Sequence, residues 1–250
     1  IISLFGAIPY VGESLELWVR GDYYISGITV SRFFALHVVA LPLILIALVF
    51  LHLVALHEVG AGNPEGVDIE EHLDDDGVPL DSVPFFPYKV LNALVAIGVF
   101  MTVFSIIMFF FPEGGGYFIE MANFQEANPL VTPDHIAPVW YYAPFYTMLR
   151  AIPDPLGGLI VMAAAVAIFF IVPWLDRSKV ASIRYKGIYS KIAITLFGVS
   201  FLTLGYLGTV GVTEIRKTMS IICTIIYFAY FLLMPIYTKY EKTKEVPERL

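Results

Sequence analysis

The sequence predicts an all-α, polytopic integral membrane protein with five transmembrane helices and short amphipathic helices at the membrane interface. Hydrophobic residues make up 58% of the chain and charged residues only 15%, with a mean hydropathy of +0.76. Ordinary soluble domains carry about 25% charged residues. Five apolar runs contain no Asp, Glu, Lys or Arg, as expected of helices that cross a bilayer. These runs are residues 33–56, 90–111, 159–172, 192–207 and 219–237.

Residues 1–20 precede the first run and mix apolar with polar side chains. Pro9 and Gly12 interrupt this segment, which predicts two short helices that are joined by a turn and lie at the interface. The chain opens on Ile1, with neither Met nor a signal peptide before it, so we expect it to be part of a longer protein.

The first apolar run carries two histidines, His37 and His52, in a helix that Pro42 should kink. They are 15 residues apart, which places their rings on broadly one face and about 22 Å apart. A histidine here can simply hydrogen-bond a neighbouring helix, but ionisable groups inside a membrane are costly and functional by default. The spacing favours two metal centres in series across the membrane. Haem is the favoured group because His is a common axial ligand of its iron.

The loops between the runs differ in character. Residues 58–84 are rich in Gly and Pro and hold nine of the 22 acidic residues, so much of the negative charge behind the net value of −7 belongs to one solvated loop. This balance predicts no nucleic-acid partner. Residues 114–153 form a long connection rich in Pro and aromatic residues, and connections of that length are usually functional. Residues 177–191 and 239–250 are polar connectors.

The Lys and Arg residues indicate the orientation. Ten of the 15 lie on the side that holds the loops after the first and third spans and the C-terminal tail, which makes that side cytoplasmic. His52 and His57 therefore lie towards the cytoplasm, and His37 and the long aromatic segment lie towards the outside. The cytoplasmic residues are Lys89, Arg177, Lys179, Arg184, Lys186, Lys191, Lys239, Lys242, Lys244 and Arg249.

Three stretches carry recognisable motifs and read RFFALH…P…H…LHE.G..NP at residues 32–64, NPLVTPDHIAPVWYYAPFYTMLRAIP at residues 128–153 and GAIPYVG at residues 6–12. They resemble cytochrome b of the quinol–cytochrome c reductase, also called the cytochrome bc complex or respiratory complex III. The resemblance covers essentially the whole chain, and the long acidic loop is more similar to bacterial members. It implies that the family's first three transmembrane helices are absent here.

The resemblance implies two b-type haems. His37 would be an axial ligand of the haem nearer the outside and His52 of the haem nearer the cytoplasm, with the second ligand of each haem supplied by the absent helices. It also implies that ubiquinol is oxidised at an outer site. One electron would pass to a Rieske iron–sulfur protein and the other through the two haems to ubiquinone at an inner site, with protons released outside.

The resemblance further implies two sets of quinone-binding residues. The outer-site set is Pro138, Val139, Trp140, Tyr141, Tyr146 and Ile1, of which Tyr141 and Tyr146 are the catalytic candidates. The inner-site residue is His57. By local pattern alone, the outer stretch could equally pack an interfacial helix, and His57 could equally cap a helix end.

The chain departs from the family pattern at three places. The family's PEWY motif reads PVWY, so Val139 replaces a Glu that is thought to accept a quinol hydrogen bond and carry a proton away. We expect another group, such as Tyr141 with water, to take that proton. The family's Lys–Asp pair early in the second span reads Asn92–Ala93, which puts an inner-site carboxylate in doubt. One extra residue precedes Pro42 in the histidine helix.

The prediction is therefore a bacterial cytoplasmic-membrane electron-transfer subunit in three parts. Residues 1–57 end a haem-binding domain, residues 58–89 are the acidic loop, and residues 90–250 hold four spans and the quinol-site loop. The expected partners are a Rieske protein, a membrane-anchored cytochrome c, a second copy of cytochrome b, quinone and the lipid bilayer.

Two alternatives are a dihaem anchor subunit of another quinone-linked dehydrogenase and a non-redox, transporter-like subunit. The first gives no reason for the stretch at residues 128–153. The second predicts charged pairs or broken helices within several spans.

Overall fold

The computed structural model describes residues 2–116, 118–119, 121–126, 128, 131 and 136–250. These residues fold into helices and loops, with an isolated β-bridge between Leu73 and Pro79 and no strand among them. Within this part of the chain, five helices are long and apolar enough to cross a membrane, which confirms the predicted fold class. They are numbered here as the first to fifth spans and run Gly27–Val59, Phe85–Phe110, Pro155–Leu175, Ile188–Thr209 and Glu214–Leu232.

Two short helices precede the first span, as the breaks in the sequence predict. A 3₁₀ helix covers Ile2–Ala7 and an α-helix covers Gly12–Arg20. A Cβ atom at Gly12 would lie 2.6 Å from the carbonyl oxygen of Gly6, so the turn between the helices closes only around a glycine. The 3₁₀ helix contacts the third span.

The buried core lies among the last three spans and a short helix, Ala143–Ala151, which we call the site helix. Tyr227 is fully buried there, and its hydroxyl donates a hydrogen bond of 2.8 Å to the carbonyl oxygen of Ala165. In the apolar windows of the first two spans no residue is buried. Lipid tails are as apolar as the side chains of these spans, so such exposure is stable within a bilayer.

Side chains cap the starts of the last three spans. Asp154 accepts a hydrogen bond of 2.6 Å from the backbone N–H of Gly157, and Thr213 accepts one of 3.3 Å from that of Arg216. The fourth span is capped from the C-terminal tail, because Glu241 accepts hydrogen bonds from the backbone N–H and the hydroxyl of Ser190 at 3.1 and 2.6 Å. A carboxylate at this position satisfies N–H groups that the helix cannot pair itself.

Two prolines lie where the regular α-helical geometry of the third and fifth apolar runs is interrupted. The third span passes through a 3₁₀ turn at Ile168–Ile171, directly before the short helix Val172–Leu175 that contains Pro173. The fifth span ends at Leu232, and a separate helix, Met234–Tyr240, begins with Pro235 in its first turn. Proline has no N–H to continue an α-helical ladder, which is why the apolar runs are not single helices.

The acidic loop is fastened to the connector between the third and fourth spans. Glu65 accepts hydrogen bonds from Arg184 and from the hydroxyl of Tyr185, and Ser182 donates one of 2.6 Å to the carbonyl oxygen of Pro64. The hydrogen bond to Glu65 raises the pKa of Tyr185, since it is made by the protonated phenol.

A second contact fastens the same loop to the C-terminal tail. Arg249 donates to both carboxylate oxygens of Asp81, at 3.2 Å from Nε and 3.0 Å from Nη2. This pairing holds the pKa of Asp81 below its ordinary value, because the guanidinium hydrogen-bonds the charged carboxylate. Loop, connector and tail thus meet on one side of the spans, in agreement with the topology used to count the Lys and Arg residues.

Candidate functional site

The first span presents both predicted haem ligands, His37 and His52, as exposed side chains. Neither imidazole has a hydrogen-bond partner among the residues that the structure describes. An unsatisfied polar group is costly in lipid. The two imidazoles therefore need a bonding partner that these residues of the chain do not supply. This donor set fits axial ligation of haem iron.

A π turn separates His37 from the rest of the span. It covers Leu36–Ala40, and the backbone N–H of Leu41 donates to the carbonyl oxygen of Leu36, five residues earlier. Pro42 follows at the start of the next α-helical stretch, Leu41–Val59. In a regular α-helix, the ring of Pro42 would clash with the turn before it. The π turn at this place is wider and relieves that clash, so the kink predicted at Pro42 is observed as a π turn.

The π turn changes the relation between the two histidines. A π turn holds one residue more than an α turn, so the 15-residue step corresponds to about 14 residues of α-helix. The rings then lie about 40° short of four whole turns, instead of about 60° past them, and about 21 Å apart along the axis. The extra residue noted in the sequence is thereby absorbed before His52.

The inner-site candidate, His57, lies in the last turns of the same span. Its Nδ1 lies 2.9 Å from the carbonyl oxygen of Leu53, one turn earlier. In the tautomer that carries its proton on Nδ1, this hydrogen bond orients the ring and leaves Nε2 able to accept a proton. A shallow, mostly apolar surface groove beside the ring is lined by Phe50, Leu53, Val54 and Glu58.

The outer-site candidates at residues 138–142 form an aromatic turn directly before the site helix. The backbone N–H of Tyr142 donates to the carbonyl oxygen of Val139 at 2.9 Å, which closes the turn. Trp140 and Tyr141 meet edge to face at 5.5 Å, and the rings of Tyr141 and Tyr142 lie 4.9 Å apart. Trp140 is 68% exposed and Tyr141 is 53% exposed, so the turn offers aromatic faces to a flat ligand.

The fourth span holds the site helix in place. A Cβ atom at Gly208 would lie 2.5 Å from the carbonyl oxygen of Ala143, so the two backbones touch where the site helix begins. One turn later, the buried hydroxyl of Thr147 lies 2.7 Å from the carbonyl oxygen of Leu204. The aromatic turn is therefore anchored at its C-terminal end to a rigid span.

Tyr146 lies on the site helix, partly buried, with its ring below the guanidinium of Arg150 at 5.1 Å from the ring centroid. The structure brings Tyr146 within one helical turn of the aromatic turn, whereas His57 lies at the far end of the first span. The remaining candidate, Ile1, lies outside the described residues, although the helix that begins at Ile2 contacts the third span.

Sequence reasoning missed the site helix and Arg150. Pro144 could have predicted the start of the helix, since proline is favoured in the first turn of a helix. The signal for Arg150 was its position four residues after Tyr146, the spacing at which helical side chains meet. Its contacts with the fourth span have no local signal.

Comparison with known families agrees with this arrangement. The family Cytochrome b(N-terminal)/b6/petB matches residues 1–144, and the family Cytochrome b(C-terminal)/b6/petD matches residues 126–228. Together they cover all five spans except the end of the fifth.

Curated relatives match along the whole chain. Cytochrome b of Allochromatium vinosum is 52% identical over 100% of this chain and 62% of its own length. Cytochrome b of Rickettsia bellii is 43% identical over 100% of this chain and 60% of its own length. Cytochrome b of Rhodospirillum rubrum is 40% identical over 99% of this chain and 58% of its own length. The chain thus spans about 60% of the length of these relatives.

A solved structure described as a hyperthermophilic respiratory Complex III superimposes with a TM-score of 0.84. The match is 31% identical and covers 96% of this chain and 61% of the other chain. Given the two family matches, the relatives and the shared five-span fold, this integral membrane protein belongs to the cytochrome b family.

Proposed function

We propose that the chain forms part of the electron-transfer subunit of a quinol–cytochrome c oxidoreductase, in a bacterial cytoplasmic membrane. In this function, ubiquinol is oxidised at an outer site and ubiquinone is reduced at an inner site, with proton translocation. The observation that carries the proposal is the first span, where two unpartnered imidazoles, His37 and His52, stand about 21 Å apart along one helix.

The two histidines would each supply one axial ligand to a b-type haem. Haem, when bound, supplies reversible one-electron transfer. His37 would hold the iron of one haem and His52 the iron of the other, and the π turn sets the angular relation of the two rings.

At the outer end, Pro138, Val139, Trp140, Tyr141 and Tyr146 bind the quinol ring. The aromatic faces supply flat apolar contact, and the close approach of Gly208 to Ala143 keeps the turn in position. Val139 cannot take a proton from quinol, so the phenol of Tyr141, with water, relays it outward. Ile1 completes the outer set.

At the inner end, His57 exchanges a proton with reduced quinone through Nε2, since Leu53 holds its other ring nitrogen. The partners are a Rieske iron–sulfur protein, a membrane-anchored cytochrome c and a second copy of the subunit.

Substitution of each histidine tests the haem assignment. His37→Leu and His52→Leu should each remove about half of the b-haem absorbance in a reduced-minus-oxidised spectrum of the assembled complex, because bis-histidine ligation then fails at one site. Potentiometric titration should show a different surviving centre in each variant.

The matched control is His72→Leu in the acidic loop, which should keep both centres. Full absorbance with both titration steps in His37→Leu and in His52→Leu would contradict the proposal.

A further inference from the structure

Arg150 ends the site helix and reaches the C-terminal end of the fourth span. Its Nη2 donates to the carbonyl oxygen of Val210 at 3.0 Å and also to that of Leu207. The fourth span ends at Thr209, so these carbonyls belong to the turn where a helix has no N–H partners of its own. A cation is favoured at this end of a helix dipole.

The same guanidinium lies over the ring of Tyr146, 5.1 Å from its centroid. This distance is within the range of a cation–π contact, and the four-residue spacing brings the two side chains together on one helix face. Because carbonyls of another span fix the guanidinium, it forms a rigid surface against which the tyrosine ring rests. Nη2 alone donates to both carbonyls, so the rest of the planar guanidinium remains free to cover the ring, which the compact ammonium of a lysine could not do from the same position.

The site helix does not depend on Arg150 for its attachment. The hydroxyl of Thr147 lies 2.7 Å from the carbonyl oxygen of Leu204, and Gly208 allows the backbone of Ala143 to touch the fourth span. Both contacts are one or two turns away from Arg150. Removal of the guanidinium therefore frees the Tyr146 ring while the helix stays where it is.

We propose that Arg150 is a positioning residue that sets the ring of Tyr146 for quinol binding. The inference rests on the proposed function of Tyr146 in the outer site. Since the ring contributes to binding of quinol before and during reaction, its displacement should act on KM more than on kcat. In the assembled complex, Arg150→Gln should raise KM for quinol about tenfold with kcat within about twofold, and Arg150→Lys should recover part of the loss.

A double-mutant cycle separates positioning from a structural role. Tyr146→Leu removes the ring, so adding Arg150→Gln in that background should raise KM no further. The control is Arg216→Gln, because Arg216 lines a small surface pocket together with Arg150 and donates to the carbonyl oxygen of Gly211 at 2.8 Å, yet has no ring contact among the described residues. It should leave KM unchanged. Additive effects of Arg150→Gln and Tyr146→Leu would overturn the proposal.

A second measurement keeps the proposal testable apart from activity. With 3-fluorotyrosine placed at position 146 of the complex, the ¹⁹F resonance should shift in Arg150→Gln, because the ring loses the adjacent guanidinium and its fixed orientation. An unchanged resonance would overturn the positioning role. A parent complex that oxidises no quinol would instead contradict the proposed function, and the ¹⁹F result would still decide whether Arg150 sets the ring.

Discussion

At position 139, an apolar side chain occupies the place where the cytochrome b pattern has a carboxylate. Val139 is 50% exposed and precedes the exposed rings of Trp140 and Tyr141. A glutamate there would replace no packed core side chain, so its introduction should leave the turn intact. The position thus allows proton transfer to be added without disturbing the fold.

We predict that Val139→Glu raises the rate of quinol oxidation by about two- to tenfold and adds an ionisation to its pH profile, since a positioned carboxylate acts as a general base. Steady-state rates measured from pH 5 to 9 check this. Val139→Gln has the same length without the proton chemistry and should resemble the parent. If Val139→Glu changes neither the rate nor its pH dependence, this position does not handle protons.

The sequence predicts which residues form the candidate site, but it does not predict which other residues contact them. The sequence indicated His37 and His52 because imidazoles stand out against an apolar run, and it indicated the outer-site residues because their stretch resembles the cytochrome b pattern. It could not show that Gly208 touches Ala143 or that Arg150 reaches Leu207, because these contacts join residues about 60 positions apart. Only the packing of helices brings them together.

Among the elements, the π turn at Leu36–Ala40 has the clearest consequence for the proposed haem ligands. The turn takes up one residue, and the residues after it continue in α-helical register. A deletion inside the turn and a deletion after it should therefore differ in their effects on His52.

We predict that deletion of Val39 keeps both b-haem signals, because the turn can close as an α turn with the two histidines in the same relation. Deletion of Ile46, beyond the turn, should remove the signal that depends on His52, since it rotates that ring by about 100°. Reduced-minus-oxidised spectra of the two complexes make the comparison. Equal loss of haem absorbance in both variants would show that the π turn does not accommodate the additional residue between the two histidines.

The spans themselves were predictable because long charge-free runs have few alternatives in a membrane protein. The site helix was not, because nine residues that include Pro144 and Arg150 carry no long apolar period. The end of the fifth span was misplaced for a related reason. Hydropathy continues across Pro235, but the α-helical hydrogen-bond ladder does not. The third span instead continues past its predicted end at residue 172, to Leu175.

For the whole molecule, the contact between the C-terminal tail and the acidic loop should weaken in acid. Because Arg249 lowers the pKa of Asp81, the contact stabilises the folded arrangement fully at neutral pH. That stabilisation declines as the pH falls below the ordinary aspartate value of about 4, and it is lost as the pH passes through the lowered pKa of Asp81, where the paired carboxyl becomes protonated.

We predict that the tail becomes mobile below about pH 4 and, at neutral pH, in Asp81→Asn. A nitroxide label on Val246→Cys, in a Cys223→Ser background, would report this as a narrowed EPR spectrum. Asp68→Asn is the control, since Asp68 accepts a hydrogen bond from Glu70 within the loop itself. An immobile label in Asp81→Asn at neutral pH would contradict the prediction.

The unequal burial of the five spans also matters for purification. The last three share a packed core, whereas the first two present their apolar windows to the surrounding medium. A detergent that strips lipid should therefore disturb the histidine-bearing span while Tyr227 and its neighbours remain packed. The b-haem absorbance would then be lost before the core of the last three spans unfolds. The quality of a preparation is therefore better judged from its haem spectrum than from its helical content.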